Sequence, residues 1–266
     1  DNIGDVVQSL EVYNNQLIVL INGDHMIKIY DITENGLTFN REISTNNSSP
    51  RELVIENNKV YFTNWNTQDV KILDLSDDSI ESIAVPGLPE DIIIDGNSLW
   101  ITIPNLDFNW TTGNQVCQIN IDTKQVQNIE VGAGPQQLTK HDGAIYVSRT
   151  FYEVDDQNVW TAFYGSSKVL DSEVTSLNYG LGVACGGAVM NFNDKVYLSH
   201  EGGISPLNDN LEIVLDEGSK IGDYNQSYVY HVEIINDNVW FALTNYTDFN
   251  EVRVVDLNGI EIASYQ

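Results

Sequence analysis

The chain has 266 residues, 42% of them hydrophobic and 19% charged, enough apolar material for a core and too much of it for a disordered chain. Its 39 acidic residues against 12 basic ones give a formal charge of −27, which repels phosphate backbones and argues against nucleic acid or anionic membrane as a partner. No apolar run approaches a membrane span, so no insertion of the domain itself is expected, and Cys117 and Cys185 are too few for a disulfide framework. They read as two buried free thiols, with their pairing left open.

Taken in chain order, one pattern recurs. A short apolar strand meets a tight polar turn, and a second strand led by an apolar pair follows. The turns are Asn14-Asn15, Asn57-Asn58, Asp95-Gly96-Asn97, Asp142-Gly143, Asn193-Asp194 and Asn236-Asp237-Asn238. Asn, Asp and Gly accept the positive φ that a two-residue hairpin of the primed type requires. After the turns come Leu17-Ile18, Val60-Tyr61, Leu99-Trp100, Ile145-Tyr146, Val196-Tyr197 and Val239-Trp240; their second residues are spaced by 43, 39, 46, 51 and 43. Third strands such as 26–31, 70–74 and 252–256 close on Asp, which begins the turn to an outer strand. A period of this size marks four-stranded propeller blades. The expected fold is all-β: a single β-propeller domain over 1–266 with about six four-stranded blades, or seven if a blade precedes Asp1. The recurring aromatics Tyr61, Trp100, Tyr146, Tyr197 and Trp240 are expected in the core.

Two repeats are irregular. The fourth carries Glu153, Asp155 and Asp156 in a loop before a strand resumes near Val159, and the fifth runs through Gly202, Gly203 and Pro206. Acidic oxygens of this kind suit a structural Ca²⁺, although none follows the calcium-loop template and a solvated loop is the plainer reading. Gly132-Ala133-Gly134 continues wrongly for a dinucleotide site and reads as a turn into a strand. There is no nucleophile elbow, phosphate-cradling loop or zinc pair. The four histidines, His25, His141, His200 and His231, are dispersed.

Three segments carry a family resemblance. Residues 60–65 (Val-Tyr-Phe-Thr-Asn-Trp), followed by 70–75, resemble the YVTN-type propeller repeat. Ser49-Pro50 and Gly134-Pro135 resemble the step that leads each such repeat. Residues 3–9 are similar to an opening segment of YVTN-type surface lipoproteins of Bacteroidetes, some of which capture vitamin B12 for outer-membrane uptake. The resemblance implies an extracytoplasmic protein at the cell surface or in the periplasm of a Gram-negative bacterium. It also implies a small-molecule ligand, with a corrinoid as the specific case, or an outer-membrane transporter as partner.

The repeat serves as a coordinate frame for a site. Ten residues before each marker lie Gln8, Arg51, Glu90, Gln136, Gly187 and Tyr230, at the opening of the innermost strand of each blade. Symmetry is expected to gather them at one channel mouth, where converging polar groups form the default binding site. The loops between second and third strands are expected on the same side; they carry Asn64, Trp65, Phe108, Trp110, Arg149, Phe151, Tyr152, His200 and Tyr246. The expected ligand site therefore comprises Gln8, Arg51, Glu90, Gln136, Tyr230, Asn64, Trp65, Trp110, Arg149, His200 and Tyr246, with no catalytic residue, resident cofactor or metal. The competing readings are an envelope scaffold using the same face, and a propeller lyase or hydrolase, for which only His231 and Glu90 come near the acid–base pair required.

Overall fold

A computed structural model describes residues 3–182, 188–216, 218–225, 228–245 and 247–266. Cys185, Gly187 and Tyr246, singled out above, lie outside the described residues. The described chain contains no α-helix and falls into two compact units, Asp1–Ile129 and Glu130–Gln266. The first holds three sheets, in chain order β1 (Val7–Tyr13), β2 (Gln16–Ile21), β3 (Met26–Thr33) and β4 (Gly36–Ser44); β5 (Pro50–Glu56), β6 (Lys59–Asn64), β7 (Asp69–Asp74) and β8 (Ile80–Ala84); and β9 (Ile92–Asp95), β10 (Ser98–Asn105), β11 (Thr112–Asn120) and β12 (Val126–Glu130), whose last residue falls in the second unit. The second unit continues with β13 (Pro135–His141), β14 (Ala144–Val154), β15 (Trp160–Leu170) and β16 (Glu173–Leu181); β17 (Val189–Phe192), β18 (Lys195–His200) and β19 (Gly203–Pro206); and β20 (Val229–Ile235), β21 (Asn238–Thr244), β22 (Asn250–Val255) and β23 (Glu261–Tyr265).

Each sheet is antiparallel and takes its strands in sequence order, the blade topology of a six-bladed β-propeller. The fifth sheet shows three strands among the described residues and is extended by the bridges Ile204↔Ile221 and Leu207↔Ile213. All six predicted first turns are two-residue hairpins, closed by Tyr13↔Gln16, Glu56↔Lys59, Asp95↔Ser98, His141↔Ala144, Phe192↔Lys195 and Ile235↔Asn238. Asn14, Asn15, Asn57, Asn58, Asp142 and Gly143 all have φ between 47° and 73°, the left-handed values that fit a primed turn to the twist of its strands. The Asp closing the third strand caps its own turn: Asp74 accepts from the Ser76 hydroxyl at 2.5 Å and the Ser76 amide at 2.9 Å, and Asp256 from the Ile260 amide at 2.8 Å. These bonds stabilise the ionised carboxyl, and hold both Asp74 and Asp256 below the usual carboxylate range. Pro50 and Pro135 each open a first strand, the position where a missing N–H leaves the ladder intact.

Core lies between successive blades. In the first unit, Ile18, Leu20, Ile27 and Ile29 of one blade pack on Leu53 and Phe62 of the next. Tyr61, Val70 and Ile72 in turn pack on Ile92, Leu99 and Ile101. In the second unit Tyr146 and Tyr164 pack on Val196 and Leu198, and Met190, Tyr197 and Ile204 pack on Val232, Val239 and Phe241. Tyr61, Trp100, Tyr146 and Tyr197 are buried at 2 to 8% exposure, as the repeat required. Trp240 is the exception. It is only partly covered, lying flat against Tyr265 with centroids 6.1 Å apart and planes at 4°.

Cys117 sits in the second core cluster, its thiol donating weakly to Asn128 Oδ1 at 3.3 Å. Burial pushes this thiol up to about 12, and the thiolate is the reactive form. Iodoacetamide at pH 8 is therefore expected to leave the Cys117 peptide unlabelled in the native protein and to label it fully in urea. Native-state labelling would contradict the burial.

Candidate functional site

Gln8, Arg51 and Glu90, equivalent positions in three successive blades, meet in the first unit. Arg51 donates through Nε and Nη2 to the two Glu90 carboxylate oxygens at 3.1 and 2.6 Å, a two-pronged pair, and through Nη1 to Gln8 Oε1 at 2.8 Å. Their side chains retain 19 and 24% exposure for Arg51 and Glu90, so solvent still screens the charges and the pair contributes more to geometry than to stability. Trp65 covers the other face of the guanidinium, whose carbon lies 4.1 Å from the ring centroid, within cation–π range. Trp110 meets Trp65 edge to face, 5.7 Å between centroids at 74°, and is itself 53% exposed. The indole N–H of Trp65 is buried with no hydrogen-bond partner among the described residues.

Backbone geometry explains why these groups converge. The first strands of four blades carry a register shift near their start, between Val7/Ser9, Pro50/Leu53, Pro135/Leu138 and Val229/His231. Such bulges turn a side chain away from the regular pleat. A hydroxyl two residues after the marker secures the step in three blades: the amides of Glu52, Asp91 and Gln137 donate to Thr63, Thr102 and Ser148 at 3.1, 3.0 and 3.1 Å. Thr63 also donates to the Glu90 carbonyl at 2.6 Å, tying one blade's second strand to the next blade's opening. These hydroxyls were missed by the sequence reading, although Thr63, Thr102, Ser148 and Ser199 stand at one repeat position. The Trp110 loop is held by Asp107, which accepts from the amides of Asn109 and Thr111 at 2.9 and 3.3 Å. The Thr111 amide bond first, and the Thr111 and Asn109 contacts after it, keep that carboxyl below its ordinary value. Trp110 takes φ 61° at the head of the turn.

Asn64, Arg149 and His200 differ from expectation. They occupy strands rather than loops, one repeat position three residues past the marker, and all are buried. Buried polar groups must find partners, and here backbone supplies most of them. Asn64 donates to the Phe62 carbonyl at 3.0 Å and accepts from the Ser48 hydroxyl at 2.5 Å. Arg149 donates to the Leu177 carbonyl at 3.0 Å and Asn178 Oδ1 at 2.5 Å, while burial lowers its pKa from the ordinary arginine value. His200 shares a hydrogen bond of 3.1 Å with the Tyr164 hydroxyl and stacks on that ring, and burial lowers its pKa too. Gly134, at φ +64°, leads into this blade; a Cβ there would fall 1.9 Å from the Thr150 carbonyl oxygen, so only glycine fits.

The expected loop after Arg149 is also corrected. β14 runs on through Phe151, Tyr152 and Glu153, pairing with β15 as far as Val154↔Trp160. Asp155 caps the short turn by accepting from the amides of Gln157 and Val159, both at 2.9 Å. Among the described residues no three His, Cys, Asp or Glu side chains gather where they could hold a metal ion. In the second unit Gln136 lies on β13 and donates to the Thr150 carbonyl at 3.4 Å, and Tyr230 lies on β20 at 54% exposure. The structure thus brings together Gln8, Arg51, Glu90, Trp65 and Trp110 of the expected set.

No protein-family profile and no curated protein matches the chain. Among solved structures it is similar to a protein from Lactobacillus plantarum, with 12% identity and a TM-score of 0.68 over 100% of this chain and 86% of that one. It is similar to a candidate 6-phosphogluconolactonase from Bacteroides uniformis, with 13% identity and a TM-score of 0.62 over 96% and 82%. It also resembles apo AztD from Citrobacter koseri, with 9% identity and a TM-score of 0.52 over 96% and 84%. At such identities the likeness concerns the fold, and that fold is the β-propeller.

Proposed function

We propose that this chain is a non-enzymatic, extracytoplasmic binding propeller that takes a small, partly planar molecule against Trp110, with Trp65 and Arg51 behind it. The observation that carries the reading is the layered arrangement of a guanidinium fixed by Glu90 and Gln8, an indole lying on it, and a second indole half open to solvent. An aromatic surface backed by a fixed cation offers a large apolar contact with little side-chain freedom left to lose on binding. The Arg51 donors are already engaged, which suits a platform better than a group that must move a proton. A corrinoid, planar and edged with amides, is the specific ligand we put forward. A cell-surface or periplasmic setting beside an outer-membrane transporter is the context that goes with it.

Titration with cyanocobalamin, followed by quenching of tryptophan emission, tests the reading. Trp110→Ala is expected to weaken binding tenfold or more, about 1.4 kcal/mol, with only a small fall in Tm because more than half of the side chain is exposed. Binding that is unaffected by Trp110→Ala would move the site elsewhere. A wild-type protein that takes up neither cobalamin nor haem would end the planar-ligand proposal.

A further inference from the structure

The repeat provides an internal standard for strand length. In five blades the second strand ends three to five residues past its marker, at Ile21, Asn64, Asn105, His200 and Thr244. In the fourth it runs eight residues past Tyr146, to Val154, and pairs with β15 throughout without a register shift. The first strand of that blade stops earlier: its pairing with β14 ends at Pro135↔Arg149, and the Thr150 amide donates to the Gly134 carbonyl at 2.8 Å. Residues 151–154 of β14 therefore continue past their inner neighbour, about 13 Å of strand at 3.3 Å per residue.

Backbone directions along this stretch follow from its two ends. Thr150 turns its N–H toward the β13 side, whereas the Asp155 amide donates across the hairpin to the Val159 carbonyl at 3.2 Å. Strand alternation then points Phe151 and Glu153 to β15, and Tyr152 and Val154 outward. Among the described residues the outward N–H and C=O groups of Tyr152 and Val154 meet no partner. Folded proteins guard such an edge with proline, lysine or a bulge, and residues 151–162 contain none of these. Apolar side chains frame the edge instead: Tyr152, Val154, Val159 and Trp160 are 45 to 60% exposed, and Tyr152 meets Trp160 edge to face at 6.3 Å. On the other face Phe151 stacks on Phe163, their centroids 5.6 Å apart.

We propose that the open edge of β14 takes up an extended, cationic segment of another protein as an added strand. Main-chain pairing with Tyr152 and Val154 supplies the attachment, and side chains supply the choice of partner. Residues of the incoming strand that face Tyr152 and Trp160 are apolar. Those between them face Glu153, and are basic. Charge selects the occupant: residues 151–162 carry Glu153, Asp155 and Asp156 and no basic residue. A second copy of this chain brings the same three acids and a net charge of −27, so like charges oppose its seating.

Fluorescence anisotropy with labelled probe peptides tests this. A peptide of alternating valine and lysine is expected to bind the wild-type chain saturably. Its counterpart with glutamate for lysine should bind about tenfold more weakly or worse, because like charges in contact are repelled. The lysine peptide N-methylated at its valines, whose amides face β14, should lose binding. Val154→Pro removes an N–H that takes no part in the β14–β15 ladder, so it should weaken the lysine peptide about tenfold while the circular dichroism spectrum stays native. Glu153→Lys/Asp156→Lys should reverse the preference between the two peptides, and decides the matter if the proline variant does not fold. Equal binding of the lysine and glutamate peptides, full binding of the N-methylated one, or no binding at all would overturn the proposal. A wild-type dimer that Val154→Pro converts to a monomer would overturn it too, and assign the edge to a second copy.

Discussion

Phe241→Ala is expected to destabilise the protein by about 3–5 kcal/mol, the range for deleting a buried aromatic and leaving its cavity. Phe241 is 0% exposed, with Tyr224 edge-on at 4.8 Å, and lies in the cluster joining the last two blades. The neighbouring Trp240→Ala should cost less, roughly 1–2 kcal/mol, because the larger ring points to the other face, where only part of its surface leaves water. Urea unfolding followed by circular dichroism separates the two. A Trp240→Ala loss equal to that of Phe241→Ala would mean that the Tyr265 side of the last blade is covered in solution.

Asp69→Ala should be nearly as damaging. Asp69 and Lys71 form an ion pair of 3.3 Å, each side chain 7% exposed. The hydroxyls of Thr67 and Ser82 donate to the carboxylate, and Lys71 donates to Thr67 Oγ1 at 3.1 Å. Removing the aspartate leaves a buried ammonium without its counter-charge, which typically costs about 3–5 kcal/mol. Replacing both members, as Asp69→Ala/Lys71→Met, removes the orphaned charge and should recover most of the loss. If the double variant is as unstable as the single, the pair matters through packing and not through charge.

The fold was legible because its signals are local and repeated. A two-residue Asn or Gly turn between an apolar strand and a marker residue needs no tertiary information, and six of them at one period leave little choice of architecture. The meeting of Gln8, Arg51 and Glu90 was legible for the same reason, since equivalent positions in successive blades are neighbours. Asn64, Arg149 and His200 were misplaced into loops because a polar residue after an apolar run looks like a strand end. In the folded chain, carbonyls such as those of Phe62 and Leu177 satisfy these groups, and the strands continue through them. Trp240 failed differently: it occupies the right repeat position, but its ring lies flat on Tyr265 and stays partly open, which its place in the repeat does not reveal. The Trp65–Trp110 contact had no sequence signal beyond two aromatics in loops, as it depends on a turn fixed by Asp107.

The first turns are short and, within each sheet, every described strand lies beside its sequence neighbour, which has a consequence for how the chain acquires its fold. Hairpins of this kind close within microseconds and cost little loop entropy, so each sheet can form early from its own residues. A single sheet of this protein cannot remain stable alone, because the clusters that bury Ile18, Tyr61, Tyr146 and Tyr197 are each shared with the following blade. Assembly then proceeds by accretion, a blade becoming durable only when its successor arrives, in the nearest-neighbour manner of repeat proteins. During synthesis the ribosome supplies those successors in the order in which they are needed.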